Sequence, residues 1–126
     1  MKRIIGAIIL AGIIVAICIA SNKIIKKYCR MTKSEIKECL QAAESKDYEA
    51  LDKSVDKLAK SWQKRQLYMS AFVNNAIIDD ITVSVSRIPY FTSEEKSIDL
   101  ITECAEIKML IEKILAEQGL SIESFI

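Results

Sequence analysis

Residues 48–76 read YEALDKSVDKLAKSWQKRQLYMSAFVNNA, and the spacing of their apolar side chains decides the fold class. Steps of three and four residues alternate through the whole stretch, which is typical of one face of a long helix packed against other helices. The members of this stripe are Tyr48, Leu51, Val55, Leu58, Trp62, Arg65, Met69, Phe72 and Ala76. Asp47 is a suitable N-cap, and Arg65 is the one polar member of the stripe.

The neighbouring segments also favour helices. Ile36, Leu40 and Ala43 form a helical stripe that ends near Ser45. Residues 77–91 fit both an alternating strand and a helical stripe, and Asn74-Asn75 before them marks a kink or a helix boundary. We predict a helix, because a lone strand would have no partner. Pro89 should end this helix, because proline disfavours the helical conformation in the residue before it.

The last predicted helix begins at a cap formed by Thr92 or Ser93 and ends at Gly119. Its apolar face contains Ile98 or Leu100, followed by Ile101, Cys104, Ile107, Ile111 and Ile114. The apolar tail, made of Leu120, Ile122, Phe125 and Ile126, is predicted to pack back on the other helices. These patterns together predict an all-α fold: an antiparallel bundle of three to four helices.

Residues 4–20 are an unbroken apolar run, IIGAIILAGIIVAICIA. As a helix the run covers about 25 Å, slightly less than a hydrocarbon core of about 30 Å, and Lys2, Arg3 and Lys23 can reach the headgroups. We therefore predict a transmembrane anchor over residues 1–22, which contacts the lipid bilayer through Ile4 to Ala20. Because residues 21–33 contain good helix formers, the anchor helix can continue into them, although Thr32 and Glu35 resemble a capping box that would start a new helix.

Three other interpretations of this run are open. A signal peptide could be cleaved after Ala20, which would release a secreted helical protein. A lipoprotein would be acylated at Cys18, but Ile17 stands where a small residue is needed. A buried core helix is the least favoured, because the run has no polar face. Gly12, Ala16 and Ala20 place small side chains on one stripe, which is suited to a helix–helix contact in the membrane.

The nearly neutral composition, with 18 basic and 17 acidic residues, hides a segregation of charge. Residues 1–33 carry seven bases and no acid, whereas residues 34–126 carry 11 bases and all 17 acids. We interpret residues 23–33 as a basic stalk within a helical domain of residues 23–126, which would hold an acidic body clear of the membrane. An acidic body argues against nucleic-acid binding.

No catalytic, cofactor-binding or metal-binding residues emerge from the sequence. The chain has no histidine, and its four cysteines lack metal-ligand spacing. Cys39 and Cys104 lie on apolar helix faces, where a disulfide between them is conceivable, and Cys29 is expected to be exposed. The redox state of all three is left open. Asp79 is expected to form a cap or an ion pair with Arg65 or Arg87, and no small-molecule substrate is evident.

Several segments resemble the DUF4363 family of small bacterial proteins. They are MKRII at residues 1–5, DYEAL at 47–51 with Trp62, IDDI at 78–81, EIKMLI at 106–111 and LSIESFI at 120–126. The resemblance implies a membrane-anchored helical protein and no assigned activity. A histidine often precedes the acidic segment in that family, whereas Asn74 and Asn75 stand here.

We therefore expect a single-pass protein of the cell membrane that is not an enzyme. Rules for membrane orientation disagree: the short flank with Lys2 and Arg3 favours an extracytoplasmic body, whereas the five bases after the anchor favour the reverse. With the family resemblance added, we expect the body outside. The bundle is expected to bind another protein; the alternative is a structural or sensory stalk that self-associates as a homo-oligomer.

Overall fold

The computed structural model describes the backbone of residues 1–125 and the side chains of residues 1–118. Within residues 1–125 there are four α-helices and no strand, which confirms the all-α prediction and the helical interpretation of residues 77–87. The α-helices are α1 (Lys2–Glu44), α2 (Tyr48–Met69), α3 (Asn75–Arg87) and α4 (Ser97–Phe125), with 3₁₀ turns at Ile88–Phe91 and Glu94–Lys96.

The first helix, α1, runs for 43 residues without interruption. The predicted continuation past Ala20 is therefore confirmed, and the alternative of a new helix at Thr32 is wrong. Inside the helix, the Thr32 hydroxyl donates to the carbonyl of Tyr28 at 2.8 Å. Such a bond to the preceding turn is typical of threonine within a helix.

From Ser21 onward, α1 joins the other three helices in an antiparallel four-helix bundle. It packs against α2 and α4, while α3 packs against the same two helices on the diagonal opposite α1. Consecutive helices run antiparallel because the connections between them are short. The core is formed by one apolar stripe from each helix: Ile25, Cys29, Ile36 and Cys39 of α1; Leu51, Val55, Leu58, Trp62 and Met69 of α2; Ile77, Ile78, Ile81 and Val85 of α3; Leu100, Cys104, Ile107, Ile111 and Ile114 of α4.

The segment interpreted as a basic stalk is part of this bundle. Ile25 and Cys29 are each only 1% exposed, so residues 23–33 form one wall of the bundle and do not hold it away from residues 4–20. The expectation that Cys29 is exposed was wrong for the same reason. Three of its bases, Lys23, Lys27 and Arg30, are exposed, which is why the composition alone resembled a solvated stalk.

The second helix ends at Met69, earlier than the stripe predicted. In the turn that follows, the backbone amides of Phe72 and Val73 both donate to the carbonyl of Met69. The Asn74 side chain accepts from the amide of Ala76 at 2.9 Å and caps α3. Asn74-Asn75 is therefore a helix boundary, and Phe72 and Ala76 lie beyond the buried part of the stripe.

The fourth helix departs from its prediction at both ends. It begins at Ser97, because a 3₁₀ turn occupies Glu94–Lys96 and Ser93 makes no side-chain cap. Leu100 is buried, whereas Ile98 and Ile101 are exposed. The helix continues through Gly119 to Phe125, so the predicted glycine stop was wrong; one glycine costs a helix only about 1 kcal/mol, and no proline follows. The predicted packing of the tail lies outside the residues whose side chains are described.

The turn between α1 and α2 contains a residue in an unfavourable conformation. The amide of Asp47 donates to the carbonyl of Ala42 and the amide of Lys46 to that of Ala43, which together form a Schellman motif. This motif places Lys46 at φ 58°, a left-handed conformation that favours glycine. Asp47 then caps α2, as predicted, by accepting from the amide of Ala50 at 3.1 Å.

We expect Lys46→Gly to raise the free energy of unfolding by about 1 kcal/mol, because glycine adopts the left-handed conformation without a Cβ clash. Chemical denaturation of the full chain in detergent, followed by the fluorescence of Trp62, measures this change. Lys46→Ala is the matched control, because it removes the same charge and keeps the Cβ. Equal effects of the two substitutions would contradict the strain argument.

Candidate functional site: an exposed apolar segment and a buried ion pair

Residues 2–20 of α1 protrude from the bundle, and every one of them is exposed. Exposure changes abruptly at Ser21: Ile4 is 65% exposed, whereas Ile25 is 1% exposed. This excludes the interpretation of residues 4–20 as a buried core helix. The segment belongs to a helix long and apolar enough to cross a membrane.

Polar contacts fix the bundle at the point where the apolar segment ends. The hydroxyl of Tyr68 lies 3.4 Å from the hydroxyl of Ser21, which joins α1 to the last turn of α2. The amide group of Asn22 donates to the side-chain and main-chain oxygens of Gln118, at 2.9 and 3.1 Å, which joins α1 to α4. Ser21 and Asn22 are both buried, so the bundle begins within two residues of Ala20.

Further from the apolar segment, a buried ion pair connects α1 to α2. Arg65 donates to a carboxylate oxygen of Glu35 at 2.5 Å and to the hydroxyl of Thr32 at 3.0 Å. The side chains of Arg65 and Glu35 are 8% and 6% exposed. The polar member of the predicted stripe is thus placed in the core beside an acid of the neighbouring helix.

The predicted partner of this arginine was wrong. Asp79 is exposed on α3, whereas Arg65 bonds to Glu35 on α1 and Arg87 lies 3.4 Å from Glu103 on α4. The sequence contained one signal that Glu35 lies near the core, because Glu35 directly precedes Ile36 of the predicted stripe. Identifying it needed the position of α1 relative to α2, which the periodicity of a single helix does not contain.

The ion pair constrains how the two helices pair. Removing two charges from water is costly, and a buried pair recovers this cost only when its geometry is good. The second carboxylate oxygen of Glu35 has no hydrogen-bond partner among the described residues. The contacts of the pair therefore recover only part of the cost of removing its charges from water. A slip of α1 along α2 would bury both charges without a partner, and we infer that the pair selects the register of these helices.

A second polar contact holds α3 against α2. The indole nitrogen of Trp62 donates to the hydroxyl of Thr82 at 3.0 Å, and that hydroxyl donates in turn to the carbonyl of Ile78. Trp62 itself is 2% exposed at the centre of the core, where the sequence placed the largest side chain. Its ring therefore packs against apolar neighbours while its one polar atom is satisfied.

The body thiols are unreactive in this environment. Cys29, Cys39 and Cys104 are free and buried. Burial raises the pKa of the Cys29 and Cys39 thiols to about 11 and that of Cys104 to about 12. Only the thiolate is nucleophilic, so these groups are almost entirely inert at neutral pH. Cys39 and Cys104 are separate thiols in the structure and do not form the disulfide that the sequence analysis considered.

Within residues 1–118, no group of three or more cysteine, aspartate and glutamate side chains is arranged to hold a metal ion. A groove of about 220 Å³ lies between α2 and the turn after α3. It is lined by Asp52, Val55, Asp56, Ala59, Pro89 and Thr92. This volume is below the usual range for small-molecule sites, and both carboxylates face open solvent.

A family model described as a domain of unknown function (DUF4363) matches residues 19–125. The chain belongs to the DUF4363 family. The DUF4363 match begins two residues before the first buried residue of α1, so it covers the bundle and leaves out most of the exposed apolar segment. No similar protein was found among curated proteins or among solved structures.

We expect Arg65→Met to lower the free energy of unfolding of this DUF4363 protein by about 3–5 kcal/mol, because Glu35 would keep a buried charge without a partner. The double variant Glu35→Leu/Arg65→Met should recover most of that loss. Chemical denaturation of the full chain in detergent, followed by Trp62 fluorescence, measures both variants. The matched control is Lys57→Met, which breaks the exposed pair with Glu38 and should change the free energy much less. A double variant as unstable as Arg65→Met would contradict the proposed role of the pair.

Proposed function

We propose that this chain is a single-pass membrane protein in which residues 4–20 cross the bilayer and the bundle is an extracytoplasmic domain that binds another protein. The observation that carries the proposal is the full exposure of an uninterrupted apolar segment on a helix whose continuation is buried. In water such a surface would associate nonspecifically, whereas a bilayer accepts it along its whole length.

The chemistry of the segment suits a hydrocarbon core. A helix satisfies its own backbone hydrogen bonds, which is a requirement for crossing lipid. Every isoleucine, leucine or valine near the membrane centre contributes about 0.3–0.6 kcal/mol to insertion, and the segment is dominated by these residues. Charged side chains are confined to its two ends, at Lys2, Arg3 and Lys23.

A second apolar stripe supports the interaction role of the bundle. On the outer side of α4, Ile98, Ile101, Ala105 and Met109 are all exposed and follow steps of three and four residues. Ile98 is 77% exposed and Met109 is 62% exposed. Apolar side chains at this spacing are typical of a helix face that packs against a partner.

The alternative, a self-associating stalk, would need a different surface from the one that the sequence suggested. The members of the 48–76 stripe between Leu51 and Met69 are buried inside the chain, so they are unavailable to a second copy. Self-association could instead use the exposed stripe of α4 or the small-residue stripe of Gly12, Ala16 and Ala20 in the apolar segment, and the crosslinking experiment below tests the first of these surfaces.

Membrane topology is tested with one introduced thiol. In a Cys18→Ala background, Gln63→Cys places a thiol on an exposed position of α2, while the three native body thiols stay buried. We expect a membrane-impermeant maleimide to label this variant in intact cells and the membrane fraction to retain the chain. Protection in intact cells with labelling after lysis would reverse the orientation. A mature chain that begins at Ser21 would show that the segment is a cleaved signal peptide.

The interaction role is tested with a photocrosslinking amino acid at position 101. We expect one dominant adduct with a foreign protein at this position and none at position 63, which is the exposed control on α2. Adducts consisting only of two copies of the chain would favour the self-associating alternative. If position 101 yields the same adducts as position 63, the stripe is not an interface.

A further inference from the structure

We propose that the end of the bundle nearest the anchor is itself a membrane-binding surface, which lies on the headgroups of an anionic bilayer. This inference rests on the proposed membrane insertion of residues 4–20. It adds a second contact with lipid, made by the folded domain rather than by the anchor. We call this surface the basal face; it comprises Lys23, Lys27 and Arg30 of α1, Leu67 and Tyr68 at the end of α2, and Phe72 in the turn that follows.

The connection between anchor and bundle places the basal face at the membrane. α1 is one helix through Ala20 and Ser21, so no linker separates the apolar segment from the bundle. Tyr68 contacts Ser21, and Gln118 contacts Asn22, so the last turn of α2 and the Gln118 level of α4 lie beside the end of the segment. A bundle attached in this way lies beside the bilayer wherever the segment is inserted.

The length of the segment draws the bundle closer to the bilayer. Seventeen residues of helix span about 25 Å, whereas the hydrocarbon core is about 30 Å thick. A segment that is too short is accommodated by thinning of the bilayer and by drawing the flanking residues toward the interface. On the bundle side the residues drawn in are Ser21, Asn22 and Lys23, which already belong to the basal face or adjoin it.

The apolar side chains of the basal face suit the interface between headgroups and lipid tails. Tyr68 packs edge-on against Tyr28, with ring centroids 5.7 Å apart, and against Phe72 at 5.1 Å. Phe72 is 44% exposed in the turn after α2, and Leu67 is 76% exposed in the last turn of that helix. Aromatic side chains are enriched at the level of the headgroups, where one end of the ring is apolar and the other is wet.

The charge of the basal face selects anionic lipid. Lys23, Lys27 and Arg30 are exposed and lie within about 10 Å along α1. Within residues 1–118 none of the three forms an ion pair, whereas Lys33, one turn further, pairs with Glu112 at 3.4 Å. The exposed acids nearest this end of the bundle lie on other helices: Glu117 on α4, next to Gln118, and Asp79 and Asp80 on α3, the helix diagonal to α1. Basic clusters beside a membrane helix are attracted to anionic headgroups.

The test uses the full chain in vesicles of phosphatidylcholine alone or with phosphatidylglycerol, and a fluorophore that is quenched by lipids carrying a nitroxide near the headgroup. Three singly labelled proteins are compared. The native Cys18 reports insertion of the anchor. In a Cys18→Ala background, Ala71→Cys reports the basal face, and Glu49→Cys reports the opposite end of the bundle.

We expect quenching at positions 18 and 71 but not at 49, and stronger quenching at 71 when phosphatidylglycerol is present. Lys23→Gln/Lys27→Gln/Arg30→Gln should remove the lipid dependence at position 71. The matched control Lys53→Gln/Lys57→Gln/Lys60→Gln removes three exposed charges from α2 and should leave the lipid dependence at position 71 unchanged.

The outcomes separate the two proposals. Quenching at 18 with none at 71 would overturn the basal-face inference and leave the anchor in place. No quenching at 18 would overturn membrane insertion itself. Equal quenching at 71 in both lipid mixtures would refute the selection of anionic lipid.

Discussion

α1 keeps one ladder of backbone hydrogen bonds from Lys2 to Glu44 while its surroundings change completely between Ala20 and Ser21. The apolar segment and one wall of the bundle are therefore parts of a single helix. Because no linker separates them, the position of the segment determines the position of the bundle. The contacts of Ser21 and Asn22 with α2 and α4 fix this arrangement at the junction.

The positions of the other helices depend on the register in which α1 packs against α2. Apolar stripes with steps of three and four residues allow several registers, since a slip by one turn brings similar side chains together. The Arg65–Glu35 pair discriminates between these registers, because each alternative leaves two buried charges without partners. α3 is then positioned on α2 by the bond of Trp62 to Thr82 and by apolar packing.

Periodicity and local chemistry predicted the helices well. The stripe on α2, the Asp47 cap, the boundary at Asn74 and the exposed apolar segment all depend on residues close together in sequence, where spacing carries the information. The errors came from residues whose surroundings are set by another helix. Cys29 resembled an exposed stalk residue because its neighbours are basic, yet α2 and α4 cover its side of α1. The partner of Arg65 and the start of the buried face of α4 also needed the tertiary arrangement.

Amide hydrogen exchange of the full chain in lipid nanodiscs tests the continuity of α1 most directly. The account predicts slow exchange without a break through residues 17–26, because the backbone bonds are protected by lipid on one side of Ser21 and by the bundle on the other. Rapid exchange at residues 20–23, between two protected regions, would show that a flexible joint separates the anchor from the bundle and would contradict the account.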